Sequence, residues 1–150
     1  MLDPHLVFSL ANLLALLCWL GLLISLFIRS VRPTAWTLAA TGAPVLFGIA
    51  YIVLIITGLH QATGGGFGSI EQVRALFSSD AGLTAGWLHY LAFDLFVGSW
   101  IARDGLGRGI YPLLLVPCLL LTFLLGPTGL LLFLILRTVF ARRLKPEIVR

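Results

Sequence analysis

Charged side chains are scarce in this sequence: they make up 11% of 150 residues, against about 25% in an ordinary soluble domain. Hydrophobic residues make up 59%, against the usual figure of about 45–50%. A chain this short cannot hide the surplus in one core, because much of a small domain's surface stays exposed. An ordinary soluble domain is therefore excluded, and lipid is the natural solvent. The length allows a single domain covering residues 1–150. Cysteine is nearly absent. Cys18 and Cys118 both sit in apolar runs, act there as small hydrophobes, and make no metal or redox motif.

Histidine is almost as rare: His5, His60 and His89 are the only three, and no two stand at i, i+3 or i, i+4. Diiron membrane oxygenases need many histidines in close pairs, so that chemistry is excluded and no metal is expected. The run Gly64-Gly65-Gly66 is not a phosphate loop, because no Gly-Lys-Ser/Thr ending follows it and no strand precedes it. There is no Ser-His-Asp order and no zinc spacing. No cofactor is expected. Nucleic acid is not expected as a partner either, since no basic, aromatic-rich soluble module is present.

Long apolar runs, by contrast, are plentiful. They predict an all-α fold, a four-helix transmembrane bundle with spans at about 6–28, 35–59, 84–102 and 111–136. Asp3-Pro4 suits the first helix start, while Arg29, Arg32 and Pro33 stop it. Trp36 falls at an interface and Pro44 predicts a kink in the second span. Residues 60–83 form a loop, with a short interfacial helix from Ser69 that carries Val73, Leu76 and Phe77 at helical spacing. Arg103-Asp104-Gly105 is expected to end the third span. Pro117 and the Gly126-Pro127 pair predict a bent or broken last helix. Small-residue spacings give no clean dimer face, so the oligomeric state stays open.

The net charge of +4 is uneven. Arg137, Arg142, Arg143, Lys145 and Arg150 crowd the C-terminal segment 137–150, a composition that suits anionic headgroups, with Arg137 snorkelling. Four crossings put both termini on one side, and the basic tail would make that side cytoplasmic. Arg29, Arg32, Arg103 and Arg108 would then face outward, against the usual bias.

Asp94 lies near the middle of the third span, where an acidic side chain costs about 2.5–3.5 kcal/mol on insertion scales. It is either a proton donor to a bound apolar molecule or a buried carboxyl that ties two helices together. Trp87, Tyr90 and Asp94 share one stripe at i, i+3 and i+7. His89, Phe93, Phe96, Trp100 and Arg103 make a second stripe, which either packs or lines a groove for a long, flat polyene. Five residues separate His89 from Asp94, so on an ideal helix they point about 140° apart and form no dyad on one face. Asn12 and Thr122 are further polar groups, read as helix-helix contacts.

The stretch Gly86-Trp87-Leu88-His89-Tyr90-Leu91-Ala92-Phe93-Asp94-Leu95-Phe96-Val97-Gly98, followed by Trp100 and Arg103-Asp104-Gly105, resembles the signature of the abscisic-acid-deficient-four-like family. Pro117-Cys118-Leu119-Leu120-Leu121-Thr122-Phe123 with Gly126-Pro127-Thr128-Gly129 is similar to that family's last-helix segment. The plant members are four-helix plastid membrane proteins needed to form neoxanthin from violaxanthin. The resemblance implies a carotenoid-related role: epoxide opening to an allene, or a comparable isomerisation without redox change. Asp94, assisted by Tyr90 or His89, would serve as the acid; Trp87, Phe93, Phe96, Trp100 and Arg103 would hold a carotenoid or another long apolar lipid. The chain starts almost directly at its first span, without a signal or transit extension, which suggests a multi-pass protein of a bacterial inner membrane and leaves the substrate open. Two other classes compete with the isomerase: a non-catalytic pigment- or lipid-binding membrane subunit that assists another enzyme, and a small transporter or channel subunit.

Overall fold

The computed structural model describes residues 2–58 and 63–141, so His60 and the tail residues Arg142, Arg143, Lys145 and Arg150 lie outside the described residues. All regular structure among the described residues is helical.

Helix α1 spans Pro4–Phe27. Asp3 caps it by accepting the His5 N–H at 3.0 Å, and Pro4 occupies a first-turn position where a missing N–H costs nothing. Its last carbonyls are covered from the next element: the Arg32 guanidinium donates to the Ser25 carbonyl at 2.9 Å and the Leu26 carbonyl at 3.2 Å. The Trp36 indole adds a bond to the Ser25 hydroxyl at 3.1 Å. The expected stop at Arg29–Pro33 is therefore a tight turn, a 3₁₀ segment Arg29–Val31, pinned by Arg32.

The second long rod is continuous but not uniform. Helix α2 (Arg32–Thr37) passes through a π-helical turn, Leu38–Gly42, into α3 (Ala43–Gly58). Pro44 has no N–H to give and its ring crowds the carbonyl four residues back. The wider turn just ahead of it, closed by the Ala43 N–H on the Leu38 carbonyl, is how the expected kink is expressed. Among the described residues these two rods, Pro4–Phe27 and Arg29–Gly58, are the helices long and apolar enough to cross a membrane, with mean hydropathy 2.4 and 2.2.

In the loop, α4 (Ile70–Leu76) is the expected short helix. Ser69 accepts the Gln72 N–H, and the Gln72 side chain in turn accepts the Gly68 N–H at 2.9 Å, a reciprocal cap. The Glu71 carboxyl, hydrogen-bonded to its own backbone and to Ser69, is held below the usual carboxylate range.

Helix α5 runs from Asp80 to Gly107, longer at both ends than the 84–102 expected. Ser79 caps its start through the Gly82 N–H. Gly105 does not end it. The helix continues to a C-terminal motif in which Ile110 N–H reaches the Gly105 carbonyl and Gly109 N–H the Leu106 carbonyl, both at 3.0 Å. Every longer helix packs on α5. α1 lies parallel to it, from Thr84 against Pro4 to Gly98 against Trp19. α3 lies antiparallel, from Gly58 against Ala81 to the upstream Trp36 under Arg103.

Of the two alternatives expected at Gly126-Pro127, a bend or a break, the last segment shows the break, and it runs past 136 to Ala141. It is two helices, α6 (Pro112–Leu125) and α7 (Pro127–Ala141), and the chain reverses between them. Leu115 of α6 packs on Gly105, near the end of α5, and Tyr90 donates to the Phe123 carbonyl further along, so α6 climbs α5 antiparallel. α7 then descends: Phe133 meets Trp100 edge-on and Arg137 reaches Asp104 at 3.2 Å. Two positions make this possible. Gly126 adopts φ +49, which L side chains rarely take. Gly129 lies directly on α6, where an added Cβ would collide with Thr122 and the Cys118 carbonyl.

Gly129→Leu should therefore force the hairpin apart at a loss of about 1–3 kcal/mol. Thermal unfolding in detergent should show a lower midpoint for this variant. Gly107→Ala, at a site with nothing nearby, should leave the midpoint unchanged.

Candidate functional site

Residues 87–104 of α5 present two separate faces, and each carries part of the expected chemistry. Trp87, Tyr90 and Asp94 share one of them. The Trp87 indole donates to Asn12 Oδ1 at 3.0 Å, tying α5 to α1, and stacks on Tyr90 at 5.2 Å between ring centres. Asn12 is itself fixed by a bond from its amide to the Phe8 carbonyl at 2.8 Å. Tyr90 donates to the Phe123 carbonyl at 3.4 Å and lies within interaction range of the Asp94 carboxyl one turn on.

Asp94 sits at mid-length of α5 and faces the tip of the α6–α7 hairpin. A Cβ on Gly126 would stand 3.3 Å from Asp94 Oδ1, 3.4 Å from Oδ2 and 3.5 Å from the Tyr90 ring. The carboxyl thus occupies the space that a side chain at 126 would fill, beside the first turn of α7, whose partial positive charge favours an anion. Oδ2 is buried and makes no hydrogen bond among the described residues. Such an atom marks either a strained lock or a functional group.

His89 faces the other way, as the 140° separation requires. It stacks on Phe93 at 4.5 Å and lies 6.2 Å from the Tyr51 ring. Its imidazole is exposed and makes no side-chain hydrogen bond among the described residues. It borders an apolar groove between α3 and α5 with a volume of about 610 Å³, lined on one wall by Leu88, His89, Ala92, Phe93 and Phe96. A second groove of about 430 Å³ continues towards the loop, past Phe67 and Phe77, and shares Tyr51 and His89 with the first. From Gly82 to Phe96 the combined channel follows α5 for about 21 Å at 1.5 Å per residue.

The second stripe does not stay together. His89, Phe93 and Phe96 line the groove, whereas Trp100 packs against Phe133 of α7 and Arg103 lies over Trp36. Past the middle of α5, α7 covers Trp100 and α2 covers Arg103. Arg137 spans Trp100 at 5.4 Å and Asp104 at 3.2 Å, so it is held by protein contacts rather than reaching freely to headgroups. Asp104 also accepts from Arg108 at 2.6 Å, which raises the Arg108 guanidinium above its ordinary value.

Sequence reasoning missed the opposite wall: Pro44, Phe47, Gly48, Tyr51 and Ile52 of α3. Their spacing at i, i+3, i+4, i+7 and i+8 was the available signal, concealed because every neighbour in that segment is apolar too. Cys18 and Cys118 are buried free thiols, and Thr122 bonds the Cys118 carbonyl at 2.8 Å beneath Gly129.

Trp87→Phe should lower stability by about 0.5–1.5 kcal/mol by deleting the bond to Asn12. Combined with Asn12→Leu, the loss should be less than the sum of the two single variants, as read from unfolding midpoints in detergent.

A family model described as ABA DEFICIENT 4-like matches residues 6–133 of the chain. No curated protein and no solved structure matches it.

Proposed function

The chain belongs to the ABA4-like family, and from that premise we propose that it is a multi-pass integral membrane protein that binds a carotenoid-class polyene and rearranges it without redox change. One observation carries the reading: the long apolar groove between α3 and α5, walled by aromatic rings, with a single unpartnered imidazole at its centre. A rigid, flat hydrocarbon suits such a channel. A polar ring facing hydrocarbon is unfavourable unless a ligand supplies its partner. Carotenoid chemistry is also what the family resemblance implies.

The proposed reaction needs an acid at an oxygen and a base at a carbon-bound proton. In an epoxide opening, protonated His89 would give its proton to the epoxide oxygen as the C–O bond breaks. The neutral ring would then remove a proton from carbon as the new double bond forms, which restores the protonated imidazole. The oxidation level is unchanged, so the rearrangement calls for no redox cofactor. Phe93 and Phe96 would hold the polyene beside His89. Asp94 and Tyr90, on the far face behind the hairpin, act in this reading as the lock between α5 and the α6–α7 tip. Were Asp94 the acid, substrate would have to enter at that tip. Trp87, Trp100 and Arg103 are structural contacts here. The bilayer in question would be a bacterial inner membrane.

One observation favours a second reading, a non-catalytic pigment-binding subunit: among the described residues the groove holds no carboxyl, only the His89 ring and the Tyr51 phenol, because Asp94 faces away from it. The two readings separate on the same material. Protein purified in detergent should carry a polyene absorbance spectrum, and should convert an added epoxy-carotenoid to an isomer of equal mass. His89→Gln should keep the pigment and lose at least about 10²-fold in turnover. Asp94→Asn should retain turnover. Turnover lost in Asp94→Asn but kept in His89→Gln would move the chemistry to the hairpin tip. Bound pigment with no conversion at all would leave the binding subunit.

A further inference from the structure

α6 has 14 residues and α7 has 15, which gives each about 21–23 Å of length at 1.5 Å per residue. Neither alone spans the roughly 30 Å of bilayer hydrocarbon. The contacts fix where they run. α6 starts beside Gly105, its far end reaches Tyr90 and Asp94 at mid-length of α5, and α7 comes back to Trp100 and Asp104. Both open ends of the hairpin therefore lie at the same end of α5. Its outward side chains, among them Leu113, Leu120, Leu124, Leu131 and Ile135, are large, apolar and exposed, so the hairpin is built for hydrocarbon rather than water. The reversal leaves little unpaired backbone, since Gly126 N–H bonds the Thr122 carbonyl at 2.9 Å and Gly129 N–H the Gly126 carbonyl at 3.2 Å. Non-helical backbone at membrane depth is tolerated where it is covered in this way.

The distribution of charge follows the same axis. The end of α5 near Gly107 gathers Arg29, Arg32 and Arg103, with Arg108 and Arg137 both paired there on the single carboxylate of Asp104, and four more basic residues follow Ala141 in the sequence. Among the described Lys and Arg residues, Arg74 alone belongs to the opposite end, with His5 and Asp80. With four crossings the arginines divide between the two sides. With three crossings and a hairpin that enters and leaves on one side, they fall together.

Resting on the membrane reading above, we propose that α1 and α2–α3 cross the bilayer together with α5, which is long enough but less apolar and packs on both of them, that α6–α7 is a re-entrant hairpin reaching only to mid-depth, and that the arginine-rich end is the surface that docks on the anionic headgroups of the cytoplasmic leaflet. The termini then lie on opposite sides, the N-terminus outside. Clustered arginines beside membrane helices set this orientation and gain from anionic lipid at short range.

The test is sided labelling with a membrane-impermeant maleimide in bacterial cells that express the full chain. The parent chain, whose two thiols are buried, serves as the unlabelled control. Phe67→Cys should label on intact spheroplasts. Tyr111→Cys and Arg150→Cys should label only on inverted vesicles. Phe67→Cys and Arg150→Cys labelling from one side would restore a fourth crossing and overturn the hairpin. Tyr111→Cys and Arg150→Cys both labelling on intact spheroplasts would overturn the docking face. A position that stays unlabelled even on opened membranes also counts against the proposal. Release of the chain by alkaline carbonate would instead sink the membrane reading on which the proposal rests.

Discussion

Two positions without side chains, Gly126 and Gly129, let the chain turn back on itself halfway along α5, and much else in the molecule depends on that turn. Gly126 supplies a backbone conformation with φ +49, and Gly129 lets α7 lie directly on Thr122 and Cys118 of α6. With the turn in place, Asp94 meets the tip, Phe133 fills the space beside Trp100, and Arg137 comes within reach of Asp104. A straight or gently bent segment would carry Arg137 away from Asp104 and leave the carboxyl of Asp94 uncovered.

The turn also divides α5 by function. Its hairpin face, with Trp87, Tyr90 and Asp94, is filled by α1 and by the α6–α7 tip, through bonds to Asn12 and the Phe123 carbonyl. Its other face, with His89, Phe93 and Phe96, meets α3 across an open groove. One helix thus serves as a structural centre on one side and as the wall of an open apolar groove on the other. The acid group in the sequence that first attracts attention belongs to the packed side. The imidazole on the groove side, His89, stacks on Phe93 and makes no side-chain hydrogen bond among the described residues.

Several of these features were legible in the sequence, for identifiable reasons. Helix α1 and the α2–α3 rod follow from uncharged apolar runs, and α4 from its Ser69–Gln72 cap. The wide angle between His89 and Asp94 follows from helical geometry alone. Three features were not legible. The C-terminal end of α5 was misplaced because Arg103-Asp104-Gly105 has the composition of a terminus, whereas Gly105 lies inside the helix beneath Leu115 and the helix ends only at Gly107. The Pro44 kink was legible but its form, a π-turn upstream of the proline, was not, because a proline signals the lost bond and not the turn that replaces it. The reversal at Gly126 was hidden because Gly-Pro gives the same local signal for a bend as for a hairpin. Only the approach of Gly129 to Cys118, eleven positions earlier, distinguishes the two, and a long-range contact of that kind leaves no periodic trace.

The reversal itself is open to a direct distance measurement. Spin labels at Leu113→Cys and Val139→Cys, both exposed positions near the open ends of α6 and α7, can be read by pulsed electron spin resonance in lipid nanodiscs. The two ends pack near adjacent residues, Gly105 and Asp104, and neighbouring helices lie about 8–10 Å apart, so the labels should be separated by less than about 25 Å. A separation near 40 Å, roughly the length of one continuous helix between those positions at 1.5 Å per residue, would contradict the account.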